Sequence, residues 1–70
     1  MSEEDLKSAL KREPFVPLRL HLSNGLTYDV RHPENAMVSK RMAAVMSGET
    51  IHLVSLIHIN AVEPLLATSG

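Results

Sequence analysis

The sequence predicts a mainly β fold, with an N-terminal helix followed by a strongly bent antiparallel five-stranded sheet or small barrel. Three observations lead there. Apolar residues occupy every even position from Leu18 to Leu22 and again from Leu26 to Val30. That is a period of two on both sides of Asn24-Gly25, the strongest short-range hairpin signal. Thr50 to Ile57 is a second run rich in β-branched and aliphatic residues. Ser2, with acidic residues behind it and basic residues near Arg12, has the layout of a short capped helix.

The helix is expected from Ser2 to Arg12. Ser2 caps the first turn, Leu6, Ala9 and Leu10 form a narrow apolar stripe, and Pro14 ends the element. Three turns are marginal alone, so the stripe must dock on the sheet. Phe15 and Val16, between two prolines, are expected to anchor the linker.

The register of the first hairpin follows from its apolar face. A two-residue loop would oppose Leu22 to Thr27 and Leu20 to Asp29, placing polar groups in the core. A three-residue loop, Ser23-Asn24-Gly25, opposes Leu22 to Leu26, Leu20 to Tyr28 and Leu18 to Val30. Arg19 then meets Asp29 and His21 meets Thr27 on the other face. This predicts a type I turn with Gly25 left-handed in a G1 bulge.

His32 to Asn35 reads as a turn around Pro33, and Ala36 to Ser39 as a strand. Lys40 to Met46 stays open. A Lys40-Arg41 turn with a strand over Met42–Met46 is favoured by the neighbouring strands; a helix capped by Ser39 and stopped by Gly48 is the alternative. Ser47-Gly48-Glu49 forms the next turn. The strand from Thr50 is apolar on both faces, with Ile51, Leu53 and Ile57 on one and Val54 and Leu56 on the other. Burial on both sides follows, and in so short a chain one side falls to a partner copy. Ile51, Leu53, Val54, Leu56, Ile57 and Ile59 are therefore the candidate subunit interface. A bend at His58-Ile59-Asn60 precedes a short return over Ala61–Glu63. The whole chain, 1–70, is one domain, with 65–70 expected as a flexible tail.

Composition narrows the function. The 70 residues include no cysteine, which leaves no disulfide or thiolate metal site and suits a reducing cytoplasm. A chain this short usually needs a staple, and with 44% hydrophobic residues the expected staple is self-association. The net charge of −1 and only two aromatic residues give neither a basic domain nor a stacking platform for nucleic acid. No apolar run reaches membrane-spanning length.

The candidate sites are sparse. His21, His32, His52 and His58 lack metal-ligand spacing: in a straight strand His52 and His58 would lie about 20 Å apart. His32 and Glu34 flank Pro33 in what reads as a turn. No nucleophile set or glycine-rich phosphate loop is present. No catalytic residue, cofactor or metal is expected. Arg19, Arg31, Lys40 and Arg41 form a candidate phosphate-contacting patch; the plainer reading is solvated residues that guard a sheet edge.

The order of helix, long hairpin, shorter strands, tight bend and short last strand resembles the Sm-like fold, including the Hfq-like bacterial RNA chaperones. The local likeness runs from Pro17 to Leu26 and returns near His58-Ile59-Asn60 and Ala61-Val62. SH3-like barrels are similar in outline. Glu13-Pro14-Phe15 and Arg31-His32-Pro33-Glu34 also look like small uncharacterised bacterial proteins. The likeness implies a barrel and a ring-like homo-oligomer. Asp29-Val30 stands where such chains bend at a glycine, Ala36-Met37-Val38-Ser39 lacks their RNA-contact motif, and His58 lacks their preceding lysine. The expectation is a cytoplasmic, non-enzymatic binding module whose partner is itself, with RNA as a candidate ligand. The alternative is an assembly module with no nucleic-acid affinity.

Overall fold

The computed structural model describes residues 1–65. It contains α1 (Glu3–Lys11), β1 (Leu18–Leu22), β2 (Thr27–Val30), a 3-10 turn at Pro33–Asn35, β3 (Ala36–Val38), β4 (Met42–Ser47), β5 (Thr50–Ser55), a 3-10 turn at Leu56–His58 and β6 (Ile59–Pro64). The strands form two three-stranded antiparallel sheets, ordered β2-β1-β6 and β3-β4-β5. The expected single five-stranded sheet is replaced by two sheets that do not close into a barrel. The two 3-10 turns explain the break. Each interrupts the extended backbone where the chain passes from one sheet to the other, and Pro33 has no N–H to carry a ladder across.

The first hairpin has the expected register: Leu18 opposes Val30, Arg19 opposes Asp29, Leu20 opposes Tyr28 and His21 opposes Thr27. The Gly25 amide donates to the Leu22 carbonyl at 3.0 Å, closing the turn, and Gly25 takes φ +87°. The Asn24 side-chain oxygen accepts from the Leu26 amide at 3.0 Å. The residues between β3 and β4 turn, with the Ser39 amide donating to the Met42 carbonyl at 2.8 Å, so Met42–Met46 is strand. The second hairpin turns on Gly48-Glu49, because Ser47 still pairs with Thr50. Gly48 has φ +63° and no other residue than glycine has positive φ among those described. A positive φ at the first loop position alone is the type II′ pattern, which matches the strand twist.

β1 is the centre of its sheet. Its partner β6 arrives from far along the chain and carries a bulge: His21 opposes Ala61 but Leu22 opposes Ile59, leaving Asn60 unopposed. The Leu65 amide donates to the Pro17 carbonyl at 2.7 Å, so the pairing runs one residue into the stretch expected as a tail; residues 66–70 lie outside those described.

The inner faces of the two sheets make the core. Leu18, Leu20, Leu22 and Val30 from one meet Ala36, Ala43, Val45 and Val54 from the other, with Leu56 and Ile59 at the connecting turn. α1 covers the core through Leu6, and the Ser2 hydroxyl caps it by accepting from the Asp5 amide at 3.1 Å. Ala9, Leu10 and Phe15 pack, partly buried, against the same core. Leu26 departs from expectation: it lies at the hairpin tip and is 53% exposed.

Leu20 sits fully buried between both neighbours of β1. Leu20→Ala should cost about 2–5 kcal/mol in urea unfolding. Leu26→Ala should change stability by less than about 0.5 kcal/mol. Equal losses would show that the two leucines are buried alike.

Candidate interaction surface

With the inner faces committed to the core, the alternate residues of each strand form the outer faces. The outer face of the β2-β1-β6 sheet is charged. Arg19 Nε lies 2.8 Å from Asp29 Oδ1 and its Nη2 lies 3.2 Å from Asp29 Oδ2, a two-point pair across the β1–β2 ladder. Arg31 Nη2 adds a longer contact to Asp29, at 3.7 Å. His21 Nε2 lies 2.9 Å from Glu63 Oε1, reaching diagonally to β6. The hydrogen bonds from Arg19 hold the Asp29 carboxyl below the ordinary aspartate range, and partial burial opposes them without reversing the direction.

The outer face of the β3-β4-β5 sheet is different. Met37, Ala44 and Leu53 stand in one cross-strand row, Met46 opposes Ile51, and Met42 opposes Ser55. No charged side chain stands in these rows, and Met37, Met42, Met46, Ile51 and Leu53 are exposed. The sequence signal for this surface was present. Met37, Met42, Ala44 and Met46 alternate with Val38, Ala43 and Val45, so β3 and β4 are apolar in both phases, as β5 is.

The six candidate interface residues divide. Ile51, Leu53 and Ile57 are exposed. Val54, Leu56 and Ile59 are enclosed in this chain's own core, so their side chains are spent before any partner arrives. Val54 and Leu56 hold the inward phase of the alternation and Ile51, Leu53 and Ile57 the outward one; the 3-10 turn at Leu56–His58 then breaks the two-residue period, and Ile59 turns inward although Ile57 turns out.

The four candidate phosphate contacts fall in two places. Arg19 and Arg31 belong to the first hairpin and converge on Asp29. Lys40 and Arg41 form the exposed turn between β3 and β4, beside a depression shared with Met1, Glu3, Leu56 and Ile57.

The histidines are dispersed. His52 stacks on Tyr28, ring centroids 4.6 Å apart, joining β5 to β2. His58 Nδ1 lies 3.1 Å from Ser23 Oγ, and the Ser23 amide donates to the His58 carbonyl at 2.8 Å. This clasp ties the hairpin tip to the second 3-10 turn, at the rim of a half-open cleft of about 290 Å³ that also touches Asn24, Tyr28 and Ser55. Among the described residues no carboxylate hydrogen-bonds His58, and no cluster of three or more His, Asp or Glu is placed to hold a metal. No described helix is long and apolar enough to cross a membrane.

Comparison with protein-family models, curated proteins and solved structures finds no match to this chain.

The depressed Asp29 carboxyl sets a pH dependence. Its contribution to stability is present above the unfolded aspartate value, near ~3.9, and is lost as pH falls through the lower folded value. Asp29→Asn should lower the melting temperature at pH 7, and the gap to the parent should narrow as the pH falls below the unfolded aspartate value. A gap that widens on acidification would reverse the assignment.

Proposed function

We propose that this chain is a non-enzymatic, Sm-like assembly module of the cytoplasm that associates with copies of itself. The outer edge of β5 carries the reading. β5 ends its sheet, and among the described residues no strand pairs with that edge. Thr50–Ser55 contains none of the lysines or prolines with which solitary chains blunt such an edge, and Ile51 and Leu53 stand exposed along it. The outer edge of β6 is the other long unpaired edge. Joining β5 of one copy to β6 of the next is a head-to-tail contact, which closes into a ring when the rotation per copy divides a full turn. Size adds support: 70 residues with no cysteine gain stability most readily from a neighbour.

RNA is the weaker ligand in this reading, because two of the four candidate cations are already drawn to Asp29. Light scattering across a hundredfold concentration range should give a mass several times that of one chain. A single-chain mass throughout would end the assembly reading. Filter binding to RNA at several salt concentrations should show little retention. Tight binding that weakens steeply with salt and is reduced by Arg41→Ala would favour RNA instead.

A further inference from the structure

We infer that the outer face of the β3-β4-β5 sheet is a second self-association surface, on which another copy of this chain packs sheet against sheet about a two-fold axis. The inference rests on the self-assembly reading but uses the outer face of the sheet, which shares only Ile51 and Leu53 with the β5 edge. The edge contact consumes backbone groups of β5, whereas this contact consumes side chains centred on β4.

Met37 is 74% exposed, Leu53 72% and Ile51 61%, with Met42 and Met46 less so. At about 200 Å² for each such residue in an extended chain, the patch amounts to on the order of 600 Å² of apolar surface. That is the upper end of what a solitary protein exposes in one patch. Two copies face to face would remove on the order of 1,200 Å² from water, which reaches the range of specific, stable interfaces.

The rows of this face hold no charge, and polar groups stand at its margins: Glu34 and Asn35 at one end, Ser39 and Ser55 at the other. An apolar centre with a polar rim is how protein interfaces are built. The rows themselves offer a nucleic acid no cation; Lys40 and Arg41 stand beyond Ser39, in the turn at the margin.

Ala44 is a small residue ringed by Met42, Met46, Met37 and Leu53. The ring leaves two shallow apolar depressions, one toward Met42 and Leu53 and one toward Met46 and Ile51, divided by Met37. Projections and hollows thus occur on the same surface. A two-fold axis lets Met37 of each copy enter a hollow of the other, the self-complementarity that an isologous contact requires. Face-to-face sheets pack about 10 Å apart with interdigitated side chains, and methionines adapt readily to such gaps.

Met37→Lys and Met46→Lys test this separately from the edge, because both residues lie on strands other than β5. Each should raise the dissociation constant of the face contact at least about tenfold, lowering the weight-average mass measured by sedimentation equilibrium at a chain concentration near the parent's dissociation constant. Leu26→Lys, an exposed site off this face, should leave the mass unchanged. Far-UV circular dichroism confirms that each variant is folded; Met37 is exposed enough that lysine fits the single chain. A parent oligomer whose mass survives both substitutions in folded variants would overturn the face contact and leave edge assembly standing. A parent that stays a single chain at all concentrations would overturn both.

Discussion

Everything in this small protein depends on the pleat of its strands. A strand sends successive side chains to opposite faces, so committing one face to the core assigns the other face at the same time. Leu18, Leu20 and Leu22 enter the interior, and Arg19 and His21 must therefore look outward. Ala43 and Val45 enter from the other side, and Met42, Ala44 and Met46 must look outward in turn. The two sheets obey one rule and yield opposite outer surfaces: an alternating set of charges on one, a continuous apolar field on the other. The interior is small, with no buried polar side chain among the described residues, so its stabilisation comes from apolar contact alone.

Local pattern made several elements legible. The hairpin register followed from which residues could share a face with the leucines, and the Arg19–Asp29 pairing came with it. The cap at Ser2 and the left-handed Gly25 were readable because each is a property of four or five adjacent residues. Long-range choices were not readable. That β6 joins β1, while β3 joins β4 alone, is decided by packing between segments some forty residues apart. The same limit applied to β5. A strand apolar in both phases does not say which phase is interior, and the short turn at Leu56–His58 reset the phase. Val54, Leu56 and Ile59 became core while Ile51, Leu53 and Ile57 did not.

Electrostatics also separated what the sequence grouped. Four cations within a short span suggest one patch. In the fold, Asp29 sits between Arg19 and Arg31 and draws both, while Lys40 and Arg41 occupy a turn of the other sheet. A surface is read as basic only when its cations lack internal partners, and sequence spacing across a turn does not reveal such partners.

The contact between Tyr28 and His52 has a practical meaning. The chain has one tyrosine and no tryptophan, so near-ultraviolet emission arises essentially from a single ring. That ring lies where β2 of one sheet touches β5 of the other. The molecule thus carries a built-in optical gauge of whether its halves remain apposed, one that needs no label and is blind to fraying of α1.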